Sequence, residues 1–291
     1  MTSDHRRRLL LVHAHPDDET LTTGGTIARY AAEPGTSVTL VTCTLGEQGE
    51  IIPPHLAELA AGRGDQLGGY RVGELAAAAR ALGLTDQRFL GGAGRWRDSG
   101  MALAGHGVRA ATPEHLHPRA FAQPAAFDEQ VAALVAVLEE VRPQVVVTYA
   151  PDGGYGHPDH VRAHEITVAA LLQVPARLFC TVIRRSTLDA GLARLAETDG
   201  LPFRMPATDE LPSVPDASIG ARIDVRAQRP ARLAALRAHA TQVALWDRGA
   251  GQDGVTAFAM SNLVAQPLLD VEEYLSAEGA PTDDLFGRSG E

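Results

Sequence analysis

Cysteine is nearly missing from this chain. Cys43 and Cys180 are the only two in 291 residues. That excludes a disulfide-stapled scaffold and a structural zinc site of the cysteine-rich kind, and two buried reduced thiols are expected. Basic charge is also in deficit: 26 bases face 36 acids, a net charge of −10. A general nucleic-acid binder or anionic-membrane binder needs a basic face, so neither is expected as a partner; a local arginine holding a polar or anionic small molecule is still compatible. Long apolar runs are missing too. No stretch approaches the roughly 18 residues of a membrane span. The N-terminal "RRRLLLV" imitates a secretory leader, but its apolar run is too short and acids follow at once, so a cytoplasmic protein is expected.

What is present suits a packed α/β protein. Hydrophobic residues make up 45% of the chain. Its length fits one large domain or a core with an appendage. "LLLVH" (9–13), "VTLVTC" (38–43), "VVVTY" (145–149) and "LFCTVI" (178–183) read as strands apolar on both faces, which belong to parallel sheets covered by helices. "QRFL" (87–90) is a shorter strand. Helical spacing is predicted for "TTGGTIARYAAEPG", stopping near residue 34, for 65–82 through Val72, Leu75, Ala79 and Leu82, and for Val131, Leu134, Val135 and Leu138 with Asp128 as cap. Residues 91–124 are glycine- and proline-rich without a period, the signature of a functional or mobile segment. Residues 186–220 read as mixed, "ARIDV" as a short strand, 229–243 as a helix, and the tail after 276 as frayed. The alternation over 8–185 predicts a Rossmann-like, mostly parallel sheet with helices on both faces. The expected division is a metal-binding catalytic core (1–185) and a smaller, irregular α+β portion (186–291) packed on it.

Ligands of open parallel sheets sit at the carboxyl ends of the strands. Three polar clusters fall at such ends: "HAHPDDE" (13–19), "GEQGE" (46–50) and "YGHPDH" (155–160). Pro16 ends the first strand and stiffens the turn. Asp17 and Asp18 are neighbours, so their side chains diverge; one can bind a metal while the other handles a proton. His157, Asp159 and His160 supply the second set of donors. Imidazoles with a carboxylate suit zinc, which keeps one position open in catalytic sites. Spacing alone does not say which histidine of each pair binds. Taken singly, each cluster has a plainer meaning: an incidental His-x-His, a solvated acid pair, a helix start. Two such clusters on one sheet edge point to a metal site. "TGGT" (23–26) lacks the full GxGxxG and the P-loop lysine, so a nucleotide is not expected.

"AHPDDE" followed much later by "HPDH" resembles the LmbE-like, or PIG-L, family of zinc deacetylases. "VTCTLGEQGE", "DQLGGYRVGEL", "LGGAGRWRDSGM", "VVVTYAPDGGYGHPDH" and "HATQV" extend the likeness to the mycothiol-pathway deacetylases of actinobacteria. It covers about 8–165 and returns near 236–243. The resemblance implies a Rossmann-like fold without nucleotide, and hydrolysis of the acetamide of N-acetylglucosaminyl-inositol. It also implies a small-molecule partner, an amino-sugar inositol. By the same resemblance His15, Asp18 and His160 hold Zn2+, with Fe2+ a possible substitute. Asp17 becomes the general base, His157 an electrostatic partner or acid, and Tyr155 a group over the acetyl oxygen, while His13 is strand-end structure. Arg71, Asp98 and, less directly, Glu50 fall where the inositol end is held. Asp159 has two expected roles, keeping His157 cationic or capping a helix. Trp96 is expected to anchor its loop. The rival readings are a mycothiol S-conjugate amidase, sharing metal and base but not the acyl pocket, and a non-catalytic sugar-binding module, for which Asp17 would be dispensable.

Overall fold

The computed structural model describes residues 6–103, 110–248, 254–276 and 281–287. In chain order the elements are β1 (Arg7–His13), α1 (Asp18–Ala31), β2 (Thr36–Thr42), α2 (Leu67–Ala81), β3 (Asp86–Phe89), β4 (Ala102–Leu103), β5 (Ala110–Ala111), α3 (Phe127–Val141), β6 (Val145–Tyr149), α4 (Gly153–Gly156) and α5 (Pro158–Leu171). Then follow β7 (Arg177–Val182), α6 (Arg185–Ala196), β8 (Ala221–Asp224), α7 (Arg229–Ala238), β9 (Ala244–Asp247), β10 (Thr256–Ala259), β11 (Gln266–Pro267) and β12 (Val271–Ser276).

Seven strands form one sheet in the order β3-β2-β1-β6-β7-β12-β8. The first five run parallel, and β12 pairs antiparallel with both β7 and β8. The two-sided apolar strands are the reason. Leu9 and Leu11 of β1 face a core built with α1, α2 and α7, while Leu10 and Val12 face a second core built with α3 and α5. All four are fully buried, each contributing roughly 1.5–3 kcal/mol of apolar transfer. The chain leaves β1 in one direction toward β2 and β3 and later in the other toward β6 and β7. The gap between the ends of β1 and β6 is therefore the switch point where an open α/β sheet presents a site.

Residues after 185 do more than pack on this sheet: β8 and β12 are two of its strands. A three-stranded antiparallel sheet, β11-β10-β9, lies beyond. The stretch expected to be mixed contains a regular helix, α6, whose buried contacts are only Leu188 and Leu195. The tail is docked where it is described: Leu285 is fully buried and Asp284 accepts a hydrogen bond from the Tyr30 hydroxyl at 2.7 Å. Its residues 277–280 and 288–291 lie outside the described residues, as do 104–109 of the irregular segment. Two local expectations change. Asp128 lies in the first turn of α3, whose cap position is Ala126 with no side-chain bond. The glycines of "TGGT" serve packing: a Cβ on Gly25 would meet the Cβ of Val225 at 2.4 Å. Cys43 and Cys180 are buried and unpaired.

Candidate active site

The acidic turn begins where β1 ends. His13 is the last strand residue; its Nε2 meets the Thr23 hydroxyl at 3.0 Å, and burial lowers its pKa to about 4. It is a neutral core histidine, as the strand-end reading expects. His15, Asp17 and Asp18 follow, all buried. Asp18 starts α1 and its carboxylate is held from several sides. Its Oδ2 accepts the His15 backbone N–H at 2.9 Å and the Tyr149 hydroxyl at 2.6 Å. That hydroxyl in turn accepts the Ala14 N–H at 2.8 Å.

The second cluster comes from the end of β6. Pro158 opens α5, and His157 caps it by accepting the Asp159 N–H on Nδ1 at 3.2 Å. His160, one turn into the helix, stacks on Tyr149 with ring centroids 4.1 Å apart. Its Nδ1 faces the Gly153 carbonyl at 3.2 Å. Gly153 is at φ 66°, and a Cβ there would lie 2.8 Å from the Cβ of His160, so this contact requires glycine.

Proton placement then becomes an accounting problem. A carbonyl only accepts, so His160 carries its proton on Nδ1 and presents a lone pair on Nε2. That Nε2 is buried without a hydrogen-bond partner, 3.3 Å from Asp18 Oδ1. His15 repeats the pattern. Its Nε2 lies 3.2 Å from Asp159 Oδ2 and 3.6 Å from Asp98 Oδ1, so the proton belongs there. Its Nδ1 faces Asp18 Oδ2 at 3.3 Å. Against the desolvation of burial, the Asp98, Asp159 and Asp18 carboxylates raise this imidazole well above its usual pKa, so without a metal Nδ1 is protonated too and a bound cation would replace that proton. Two imidazole nitrogens thus converge on one carboxylate. Ligand atoms arranged tetrahedrally about 2.0–2.1 Å from zinc lie roughly 3.3 Å from each other. The donor set therefore fits a divalent cation in type and spacing.

Among the described residues, two triads offer ligand atoms mutually within 4.8 Å: His15, His157 and His160, and His15, Asp98 and Asp159. The second lies on the protonated side of His15 and is already supplied with donors. Asp98 accepts the N–H of Gly100 at 2.8 Å and of Gln48 at 3.2 Å, and Asp159 accepts the N–H of Ser99 at 2.9 Å. These carboxylates orient His15 from behind, as carboxylate partners of metal-binding histidines do. Neither expectation for Asp159 describes this arrangement. Its carboxylate turns to His15, and only its backbone N–H reaches His157. Asp98 likewise faces His15, with Glu47 accepting its own N–H at 3.0 Å.

His157 is not held as a cation. Burial and the neighbouring His15 lower its pKa to about 2. With Nδ1 accepting from Asp159, its proton sits on Nε2 and is available to donate. Tyr155, on the short α4 turn, places its ring 5.2 Å from His160 and 6.0 Å from His157. Burial raises its pKa above the usual phenol value, which keeps it a donor.

Asp17 diverges from Asp18 as neighbouring residues must. Burial raises its carboxyl to about 6, against the opposing pull of the Arg71 guanidinium. Arg71, from α2, is 2% exposed. It bonds Asp17 Oδ2 at 3.0 Å, the Gly46 carbonyl at 2.7 Å and the Pro16 carbonyl. The residue expected at the inositol thus clamps the acidic turn instead. Glu50 is exposed, one residue past Gly49, which packs against Arg71 and Gln242. Trp96 is 3% exposed against Phe121 and anchors its loop. Sequence reasoning did not single out Tyr149, Glu47, Glu19 or His239. The hydroxyl of Tyr149 at the very end of a buried strand was a readable signal; the other three depend on partners distant in the chain.

The family model described as PIG-L, GlcNAc-PI de-N-acetylase, matches residues 10–171. A Saccharopolyspora erythraea protein named 1D-myo-inositol 2-acetamido-2-deoxy-alpha-D-glucopyranoside deacetylase 1 is 57% identical over 100% of this chain and 97% of its own length. An Actinosynnema mirum deacetylase of the same name, without the final numeral, is 57% identical over 100% of both. Among solved structures, a deacetylase in complex with teicoplanin, from the teicoplanin biosynthesis pathway, superposes with a TM-score of 0.52 at 20% identity. That match covers 93% of this chain and 99% of the other and shows the shared fold. With two histidine–aspartate clusters at one switch point and relatives matched end to end, the chain belongs to the PIG-L family of metal-dependent deacetylases.

Proposed function

We propose that this protein hydrolyses the acetamide of N-acetylglucosaminyl-inositol to acetate and glucosaminyl-inositol, the substrate named for its actinobacterial relatives. The observation that carries the reading is the convergence of His15 Nδ1 and His160 Nε2 on Asp18, with the Asp17 carboxylate on the adjacent residue. His15, Asp18 and His160 would hold the cation. Zinc suits two imidazoles and one carboxylate, and iron(II) is the alternative the same donors accept.

A cation held there supplies Lewis acidity, lowering the pKa of a water and polarising an acyl oxygen. The chain's own residues do the rest. Asp17, raised by burial yet kept ionisable by Arg71, takes the proton from the attacking water. The oxygen of that water adds to the acetyl carbon, and negative charge develops on the former carbonyl oxygen. The Tyr155 hydroxyl and the His157 Nε2–H donate to it. The C–N bond then breaks, the amine takes the proton stored on Asp17, and acetate leaves. His157 acts as a neutral donor, so the acid and base duties both fall to Asp17. Asp159 and Asp98 keep His15 in the tautomer that offers Nδ1. Glu50, exposed beside the site, is the member of the expected inositol-binding trio free to meet sugar hydroxyls; Arg71 and Asp98 act from behind it.

The test is an amine-release assay on N-acetylglucosaminyl-inositol, free N-acetylglucosamine and a mycothiol S-conjugate, with and without chelator. The expected result is fastest, chelator-sensitive release from N-acetylglucosaminyl-inositol. Preference for the conjugate would make the protein an amidase instead.

A further inference from the structure

Asp17 has a backbone conformation that few residues other than glycine adopt, φ 123° and ψ −33°. Such conformations persist where the surroundings over-determine them, and they gather at functional sites. The surroundings here are unusual. The Asp17 N–H donates to Glu19 Oε2 at 3.0 Å. The other oxygen of that carboxylate accepts from His239 Nε2 at 2.7 Å and from the Thr20 hydroxyl. Glu19 and His239 are both fully buried. His239 stands at the C-terminal cap of α7, on the far side of the sequence. On its opposite flank the same turn is gripped by Arg71, through the Pro16 carbonyl and the Asp17 carboxylate.

An ordinary helix start is satisfied by a Ser, Thr, Asn or Asp side chain at the cap. Here the N–H of Asp17 is met by a buried carboxylate that also takes the Thr20 hydroxyl and the His239 ring nitrogen, a pair whose desolvation costs stability that these hydrogen bonds must offset. The hydrogen bonds of this pair lead to the Asp17 peptide and not to His15, Asp18 or His160.

We propose that Glu19 and His239 are positioning residues for the base: they fix the strained Asp17 peptide and thereby the direction of its carboxylate. This places the end of α7, from the last third of the chain, in the catalytic machinery of the first loop. It rests on the reading of Asp17 as base.

The test is a double-mutant cycle on the metal-loaded protein, crossing His239→Ala with Asp17→Asn, with His239→Gln as the conservative variant. Turnover, KM, metal content and Tm are measured for each. In the wild-type background His239→Ala lowers kcat by about 10- to 100-fold, with KM and metal stoichiometry unchanged. His239→Gln, whose amide still donates to Glu19, recovers most of the loss. In the Asp17→Asn background His239→Ala changes the residual rate by less than about twofold, because its effect runs through a group already removed. An equal loss in both backgrounds, or no loss in the first, overturns the proposal. Should His239→Ala not fold, His239→Phe, which fills the space without donating to Glu19, takes its place in the cycle, with the same two outcomes. Full activity in Asp17→Asn alone would overturn the base assignment itself, a separate result.

Discussion

His160 Nε2 and Asp18 Oδ1 lie 3.3 Å apart with no proton assigned to either. The Gly153 carbonyl claims the imidazole proton on the other nitrogen, and an ionised carboxylate has none to give. Two buried acceptors facing each other repel unless a cation lies between them. His15 Nδ1 meets the other oxygen of Asp18 at 3.3 Å, with a proton standing where a cation would. The proposed chemistry is organised around a cation at that point.

Removing a member of the set should remove the metal. His160→Ala and Asp18→Ala are each expected to bind less than a full equivalent of zinc after dialysis and to lose turnover together with it. Metal analysis alongside the amine-release assay checks this; a full equivalent of zinc in His160→Ala would place the cation elsewhere.

Asp17→Asn is expected to separate binding from chemistry. It keeps the metal and the shape of the turn but cannot take a proton, so kcat should fall by about 10²- to 10⁴-fold while zinc content stays the same. Steady-state kinetics on the zinc-loaded variant decides it. Unchanged kcat would remove the base role from Asp17.

Tyr155→Phe removes one donor from the developing oxyanion and leaves the ring. A loss of about 10²-fold in kcat with little change in KM is expected, by analogy with the removal of other oxyanion donors. A change confined to KM would make Tyr155 a substrate-binding aromatic.

Much of this was legible in the sequence because it is local. Four apolar residues before His13 announce a strand buried on both faces, and Pro16 with the two aspartates announces the turn after it. What was not legible depends on partners far along the chain. Strand β12 carries Glu272 and Glu273, which do not read as core residues. They become so because Glu272 accepts the Gly25 and Thr26 N–H groups at 2.8 and 2.7 Å, and Glu273 pairs with Arg184 and Arg222. Helix α6 buries too few side chains to leave a clear period. Arg71 looks like a surface arginine on its own helix, and its burial comes from the carbonyls of Gly46 and Pro16. Asp98 and Asp159 were visible as acids near a site, but their common target, His15 Nε2, emerges only when the sheet brings three loops together.

Away from the site, Asp86 fastens the edge strand β3. Its carboxylate accepts from Thr39 on β2 and from Arg88. Partial burial works against the charge, but the Arg88 and Thr39 hydrogen bonds outweigh it and hold the carboxyl below its ordinary range. A depressed folded-state value means the stabilisation is present above the unfolded value, about 3.9, and is lost as pH falls through the folded one. Asp86→Asn should therefore lower stability near neutrality by less than about 1 kcal/mol, since the group is partly exposed. The Tm difference from wild type should close as pH falls below about 4. A difference that persists unchanged into acid would assign the effect to packing instead of charge.

The most direct test of the central claim is anomalous diffraction at the zinc edge from crystals of the zinc-loaded protein. The expected result is a single peak bonded to His15 Nδ1, an Asp18 oxygen and His160 Nε2, with Asp17 beside it but outside its coordination. A peak bonded instead to His15 Nε2, Asp98 and Asp159, or no peak between the two histidine clusters, would contradict it.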